Sequence, residues 1–576
     1  MRLNLKILRI DLTGRSYAEE SLEAKGPAGG RYLTSRIVRE EVPPTCDPLS
    51  AENKLVLACG PLAGRGISSA GRLSVGCKSP LTGGIKEANA GGTAADALAR
   101  LGWTAVVLEG RSPQWVVLVV DREGVRFLPA PPYLNKGNYE VARRLREEFG
   151  PEYAFITLGP AGERKLWASG VAVSDIYGRP SRIAARGGVG AVMGSKGVKA
   201  ILLAAPRGET LQPADPAEAM TAKKEFHRII ATSERTRVLA EYGTAETMGL
   251  VQALGALPTR NFREGRFEQA DRIDGRALYN LIKERRGAGR HTERCMASCL
   301  IRCSNAVPGP DGTEIVAPLE YETLGLMGSN LGVGDLDAIA RWNYYCNDLG
   351  VDTIEVGAAL GVMAEAGLVG FGDVAALEKI ILEIYQGTIV GRLAGMGAGF
   401  CGLALGVERI PVVKNQAISA YDPRGVKGTG ITYATSPMGA DHTAGLTVFA
   451  PVDHHAGTGQ RELSYRMQLS RAAYDALGLC AFLLSATGPH PETVTGLLNA
   501  YYGADLGPDY LLRLGAEVLA LEVDFNRRAG LPETEEIPGF MREEKLGPYG
   551  LIWDIPSEEL RDFWRDLPAL GGSSCD

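Results

Sequence analysis

Short apolar runs separated by polar and glycine-rich stretches fill the first third of the chain, and hydrophobic positions recur with a helical period over most of the remainder. Short apolar runs at 54–59 (KLVLAC), 72–77 (RLSVGC), 104–109 (TAVVLE), 114–120 (QWVVLVV) and 124–128 are bounded by glycine turns, which predicts strands. The opening stretch MRLNLKILRIDLTG alternates like a half-buried strand. Between these runs lie the glycine-rich connectors GPLAGRG (60–66), SPLTGGIKEANAGG (79–92) and ARGGVGAVMGSKG (185–197). Such loops turn backbone N–H groups towards anions, with Arg72, Lys86 and Arg186 at hand for phosphate; the plainer reading is the tight turns of a β-rich domain. After a change of composition near 206–216, helical periodicity runs through 217–242, 244–254, 323–331, 335–349, 353–366, 373–393, 462–484 and 509–530. The tail from 532 to 576 is rich in Pro and Glu and is expected on the surface. These patterns predict an α+β multidomain protein: a β-rich N-terminal base at 1–207, then two mainly α-helical domains at 208–405 and 406–576.

Length and charge narrow the function. A chain of 576 residues has ample material for a large core, and its 73 glycines suit many close backbone approaches, as around a large cofactor. The net charge of −6, without a long Lys/Arg run, gives no support to nucleic acid or an anionic membrane as partner, although a local basic patch could still meet an acidic protein carrier. The N-terminus lacks the apolar core of a signal peptide, and no apolar stretch reaches the roughly 20 residues of a membrane span, so a cytoplasmic protein without membrane insertion is expected. The 10 cysteines fit reduced thiols and metal ligands better than a secreted disulfide framework.

Three of those cysteines stand four residues apart in RCMASCLIRCSN: Cys295, Cys299 and Cys303. On an unbroken helix the outer two Cα atoms would be roughly 12 Å apart at 1.5 Å per residue, too far for one compact centre, so a turn-rich loop is expected. Structural zinc usually uses two local pairs, and no second pair occurs here. The C-x3-C-x3-C spacing also misses the C-x3-C-x2-C of radical enzymes. An iron–sulfur cluster with three local ligands and one distant ligand fits best.

A second pattern is repeated. Asn347 to Asp352 (NDLGVD) and Asp475 to Cys480 (DALGLC) share the form [DN]-x-L-G-[VL]-[DC], each after a helical run. A carboxylate or amide there can grip the donor edge of a heterocycle while glycine lets the backbone approach; two helix C-terminal turns are the alternative. Cys480 is the foremost candidate for the fourth cluster ligand, with Cys346 and Cys401 behind it. A G-x-G-x-x-G string at Gly397, Gly399 and Gly402 follows a helix rather than a strand, the wrong setting for a dinucleotide.

Taken in order, GRLSVGCKSPLTGGIKEANAGG (71–92), ARGGVGAVMGSKG (185–197), EYET (320–323), NDLGVDTIE (347–355), PMGADHTAG (437–445) and DALGLC, with the cysteine triplet, resemble the aldehyde:ferredoxin oxidoreductase family of tungsten enzymes as far as about residue 540. The resemblance implies tungsten, occasionally molybdenum, held by two pyranopterins, a 4Fe-4S cluster beside one of them, and Mg2+ at the pterin phosphates. By position it implies Cys295, Cys299, Cys303 and Cys480 as cluster ligands and Asp352 and Asp475 as pterin-gripping acids. Around those acids stand Asn347, Asp348, Gly350, Gly478 and Leu479, with Asp348 covering for the neutral Asn347. Arg72, Asn89, Arg186 and Gly187 match phosphate contacts. Glu322 matches a general base towards water or an aldehyde hydrate, and His442 a hydrogen-bond donor to the carbonyl, with Tyr321 orienting one of them. Electrons would leave singly through the cluster to ferredoxin or an iron–sulfur subunit.

The resemblance also sets its own limits. Where some relatives join two subunits through a metal, this chain has Arg341 and no matching His, so a metal-bridged homodimer is not implied and the oligomeric state, homo- or hetero-, stays open. His454 and His455 form a pair expected near the site. Rival readings are the active-site subunit of a tungsten-dependent aromatic acyl-CoA reductase and a non-catalytic iron–sulfur or zinc scaffold.

Overall fold

The computed structural model describes residues 2–204 and 210–570. The expected boundary at 207 lies outside the described residues. Residues 2–204 build two six-stranded sheets. Leu3–Asp11 (β1), Ser16–Ala24 (β2), Leu55–Cys59 (β3), Leu73–Lys78 (β4), Ile85–Ala90 (β5) and Ala105–Glu109 (β6) take the order β2-β1-β6-β3-β4-β5. Val116–Asp121 (β7), Gly124–Pro129 (β8), Ala154–Thr157 (β9), Val171–Val173 (β10), Arg182–Ala184 (β11) and Val198–Leu203 (β12) take the order β11-β10-β9-β12-β7-β8. Read backwards, the second order is the first, each strand standing for the one six places earlier. The pairings agree as well: β1 with β6 and β7 with β12 are parallel, and every other neighbour is antiparallel. Each half places one helix after its opening hairpin, Gly30–Glu41 and Asn138–Phe149, and a short one before its last strand, Ala94–Arg100 and Val189–Ser195. The base is a tandem duplication of one β-unit.

Strand alternation sorts the core into layers. Leu55, Leu57 and Cys59 of β3 meet Val116, Leu118 and Val120 of β7 between the sheets. Val56 and Ala58 turn instead towards the helical body, and Val117 and Val119 towards the helix Asn138–Phe149. Each fully buried Val or Leu contributes about 1.5–3 kcal/mol of hydrophobic stabilisation.

The expected strands match β1, β3, β4, β6, β7 and β8, but two connectors are more ordered than expected. The 79–92 connector contains β5, and 185–197 contains the helix Val189–Ser195. Both run through small residues that lack a clear period, and sheet pairing and packing decide their conformation. The remainder of the described chain is mainly helical. The run at 217–242 breaks at Ser233 into Pro216–Thr232 and Glu234–Tyr242, and 373–393 breaks at Gly387 (φ 68°). The tail is not simply surface: Ile537, Met541, Trp553, Phe563 and Trp564 are buried, and Trp564 Nε1 donates to Thr435 O at 2.9 Å. No helix among the described residues is long and apolar enough to cross a membrane.

Candidate active site and cysteine cluster

The two copies of the repeated motif each end a long helix against one half of the duplicated base. Helix Leu336–Leu349 stops at Gly350 (φ 72°), and Gln460–Ala476 ends two residues before Gly478 (φ 66°), where glycine alone adopts the left-handed backbone without strain. Arg72 N–H donates to Gly478 O at 3.1 Å and Cys480 N–H to Ser69 O at 2.8 Å. In the other half, Gly170 N–H donates to Gly350 O at 2.9 Å and Asp352 N–H to Ala168 O at 2.9 Å. Opposite each motif a Gly-Pro turn of the base comes close. A Cβ on Gly60 would lie 2.0 Å from Leu477 O, and one on Gly159 would lie 2.1 Å from Leu349 O.

Leu479 is buried behind the second motif, and its last residue, Cys480, reaches the triplet. Residues 294–302 are turns and bends, as the spacing required. The Cys295 and Cys299 thiols hydrogen-bond each other, which drives Cys295 well up and draws Cys299 down to about 6. Cys299 also accepts from Ser69 Oγ at 3.5 Å and from Arg302 N–H at 3.4 Å. Burial, with the nearby Glu320 and Cys480 charges, raises Cys303, and burial raises Cys480 against the charge of Arg72. Arg182 lies close enough to Cys295 and Cys303 to oppose their rise, so two guanidiniums flank a group of four sulfurs and suit a net anionic centre. Among the described residues no three His, Cys, Asp or Glu side chains close tightly enough for one metal ion. Cys346 and Cys401 sit in the apolar core, where burial pushes both thiols up.

Glu322 and His442 come together although 120 positions separate them. Glu322 lies on the short helix Tyr321–Thr323, which runs straight into a π-helical turn, Leu324–Gly328, where a regular helix was expected. A Cβ on Gly325 would stand 2.5 Å from the Ala420 methyl, so this glycine admits the 417–421 segment. Ala420 N–H then donates to Glu322 Oε2 at 2.9 Å. The Tyr321 hydroxyl donates to Ala420 O at 2.6 Å, so Tyr321 and Glu322 engage the backbone of the same residue. Glu322 Oε1 faces His442 Nε2 at 3.5 Å.

On its other side His442 Nδ1 meets Ser419 Oγ at 3.0 Å, and Ser419 Oγ accepts from Arg186 Nη1 at 2.8 Å. With an acceptor site of Ser419 taken by a guanidinium, its O–H is free to donate to Nδ1, which leaves the proton of neutral His442 on Nε2. Burial pushes Glu322 up to about 8 against the Ala420 hydrogen bond and the charge of Arg186. Burial also drives His442 down to about 3 against Asp441. Near neutral pH both groups are therefore mostly uncharged. Burial opposes the ionisation of Asp441 as well, but Lys86 and Arg186 hold it well below the ordinary carboxylate range.

The surroundings leave polar atoms unsatisfied. Arg186 Nε, Arg471 Nη1, Arg182 Nε, Glu87 Oε1, Asn347 Nδ2 and Glu322 Oε1 are buried without hydrogen-bond partners. Native proteins seldom leave such atoms unpaired, so these groups have hydrogen bonds to offer a polar ligand between the base and the two motifs. Asp475 is held among Arg31 at 3.3 Å, Arg471 at 3.4 Å and Asn89 at 3.4 Å. Asp352 caps helix Thr353–Glu365 through Ile354 N–H at 3.1 Å and stands 3.5 Å from Arg186. Arg72 bonds the side chain and carbonyl of Asn89, and Gly187 (φ 83°) leaves room for the Lys86 chain, whose Cγ would be 2.3 Å from a Cβ there.

Two expectations are corrected. Asp348 does not cover for Asn347: it accepts from Tyr139 N–H and the Tyr385 hydroxyl, each at 2.9 Å. Lys86 is no open phosphate ligand, because it is buried against Asp441 at 2.5 Å. His455 bonds Leu254 O at 2.9 Å and packs on Tyr549, and neither His454 nor His455 has a hydrogen bond to Glu322 or His442. Ser419, Arg31, Arg182 and Arg471 also stand at the site and lie in no motif with a signal of its own, and Glu87 joins them from within the 79–92 connector.

A family model described as the N-terminal domain of aldehyde ferredoxin oxidoreductase matches residues 7–205, and one described as domains 2 and 3 matches residues 221–560. The tungsten-containing aldehyde ferredoxin oxidoreductase of Pyrococcus horikoshii is 33% identical over 574 residues, covering 94% of this chain and 92% of that protein. The aliphatic sulfonate oxidoreductase, WOR-like subunit, of Pyrococcus furiosus is 26% identical over 561 residues, covering 90% of this chain and 85% of that protein. Among solved structures, the active-site complex of benzoyl coenzyme A reductase with 1,5-dienoyl-CoA shares the fold at a TM-score of 0.80 and 19% identity, over 97% of this chain and 94% of the other.

Proposed function

The chain belongs to the aldehyde ferredoxin oxidoreductase family, and from that premise we propose that it oxidises an aldehyde to a carboxylic acid and delivers the electrons to ferredoxin or an iron–sulfur partner subunit. The observation that carries this reading is the half-buried Glu322 and His442 pair, with its orienting contacts from Ala420 and Ser419. Aldehyde and water give carboxylic acid, two protons and two electrons. Bound here, a tungsten bis-pyranopterin supplies the two-electron oxidant and a 4Fe-4S cluster the one-electron outlet.

The protein's own residues do the rest. Arg186, Asn347 and Asp352 on one side, and Arg72, Asn89, Glu87 and Asp475 on the other, would hold the pterins and their magnesium-bound phosphates. Cys295, Cys299, Cys303 and Cys480 would hold the cluster. Glu322 takes a proton from water or the aldehyde hydrate, and a carboxylate whose conjugate acid sits at about 8 is a stronger base than an ordinary one. His442, with its proton on Nε2, donates to the carbonyl oxygen. The Arg186 and Ser419 chain keeps that tautomer, and each side chain of the pair stays 16% exposed, open to water or substrate.

Tungsten, molybdenum, iron and pterin analysis of anaerobically purified protein tests the cofactors, and zinc without pterin would overturn the proposal. Glu322→Gln is expected to keep metal and pterin content while lowering kcat by roughly 100-fold. Because the active base is the ionised form, kcat/KM of the native enzyme should rise with pH and level off above about 8. The structural likeness to benzoyl coenzyme A reductase concerns the fold. Turnover of an aromatic acyl-CoA with none of aldehydes would transfer the assignment to that class.

A further inference from the structure

We propose that Arg235 and Tyr421 form a second binding point at the mouth of the active site, which takes the far end of an aldehyde carrying its own carboxylate; this rests on the aldehyde chemistry of the Glu322 and His442 pair. The two segments that supply the pair also supply this point. Thr244 Oγ1 accepts from Tyr321 N–H at 3.0 Å, so the turn Thr244–Glu246 is fastened to the residue beside Glu322. Glu246, at the end of that turn, pairs with Arg235 through Nη1 alone. On the other segment the chain runs from His442 to Thr447, whose hydroxyl is bonded to that of Thr429 at 3.0 Å, and on to Phe449, whose ring centre lies 4.2 Å from the Arg235 guanidinium carbon. Arg235 therefore bridges the segment of Glu322 and the loop of His442.

This bridge has hydrogen bonds left to give. Arg235 Nη2 is buried and has no hydrogen-bond partner, and a guanidinium with one nitrogen on Glu246 and another vacant suits a planar carboxylate. The Tyr421 ring lies 5.8 Å from the His442 ring and 5.3 Å from the Tyr321 ring. Burial holds its hydroxyl well up, with Glu322 adding to the rise and the charge of Arg235 opposing it, so Tyr421 stands within reach of both the reactive pair and Arg235. Among the described residues that hydroxyl makes no hydrogen bond. Phe449 is 43% exposed, so the bridge lies where the site opens outwards. The Arg235 and Glu246 pair is neutral as a whole, and the point therefore selects at short range, by donors that an alkyl aldehyde leaves unpaired. A short oxo acid fills them: its carboxylate accepts from Arg235 Nη2 and the Tyr421 hydroxyl while its aldehyde oxygen accepts from His442. The reaction keeps its balance, since oxo acid and water give a dicarboxylic acid, two protons and two electrons.

Dye-linked kinetics of the holoenzyme on succinic and glutaric semialdehyde, against butanal and pentanal, test this. In the native enzyme the better of the two acids should exceed its alkyl counterpart in kcat/KM by about tenfold or more. Arg235→Met should bring acid and alkyl aldehyde to near parity, chiefly through a higher KM for the acid, and Arg235→Lys should restore part of the preference. Equal kcat/KM for the two classes in the native enzyme would overturn the binding point and leave aldehyde oxidation standing. So would a loss in Arg235→Met that acid and alkyl aldehydes share equally, the mark of a merely structural side chain. Turnover of none of the four substrates would instead overturn the function on which the point rests.

Discussion

The two halves of the base share strand order, pairing sense, helix placement and the way they seat a helix-ending glycine motif, yet they hand the chain on to different chemistry. The first half seats Asp475 to Cys480 and leads to the cysteines; the second seats Asn347 to Asp352 and leads to Arg186, Glu322 and His442. Their anchors differ too. From the helix after the first hairpin, Arg31 enters a buried ion pair with Asp475 and a bidentate one with Glu522 at 2.8 and 2.7 Å. From the equivalent helix, Asn138 offers only an amide to Asn347 O at 2.8 Å. Under the proposed function, the duplicated scaffold would hold two similar heterocycles by the same backbone grip, and a few side chains would divide proton handling from electron removal.

The comparison is broken most severely at the shared grip. Gly60→Ala and Gly159→Ala each place a methyl about 2 Å from a motif carbonyl, and each should lose about 3 kcal/mol or more of stability in denaturant unfolding. Gly60→Ala should also lower iron content and Gly159→Ala should spare it; equal iron loss in both would mean that the halves are not divided as described. Next comes the difference in anchors. Arg31→Met strands two buried carboxylates and should cost about 3–5 kcal/mol, against about 1 kcal/mol for Asn138→Ala. Similar losses would remove the contrast.

A smaller effect concerns the proton-handling side alone. Burial raises Glu322 from an ordinary 4.5 to about 8, so its neutral form favours the fold fully below pH 4.5 and that contribution drains away as pH climbs to 8. Glu322→Gln, neutral at every pH, should therefore show a flatter fall of Tm between pH 5 and 8 than the native protein. Parallel curves would mean that the carboxyl is not held neutral. Least of all, Asp352→Ala removes a helix cap and should cost about 1 kcal/mol, read as a shift of denaturation midpoint.

Much of this was legible in the chain. Alternation located β1, short apolar runs between glycine turns located β3, β4, β6, β7 and β8, and the cysteine spacing called for the loop that is found. The repeated [DN]-x-L-G motif pointed to the glycine turns, because a left-handed helix end carries its own signature in one residue. The duplication of the sheets was not legible: β5 and β11 read IKEANA and RIA, and with so little shared side chain only hydrogen-bond pairing reveals their equivalence. Likewise Asp348 was the acid in the expected place, but Tyr139 and Tyr385 engage its carboxylate.

The sequence by itself therefore determined the local elements, the residue types able to ligate or transfer protons, and the family pattern, since these depend on neighbours along the chain. Only the tertiary structure decided which of those residues share a charge environment. Glu322 is driven up and His442 down because packing removes water from both; Lys86 is consumed by Asp441; and Arg186 with Ser419 fixes the tautomer of His442. Desolvation and charge pairing act across space over a few ångströms, and no spacing along a chain encodes that distance.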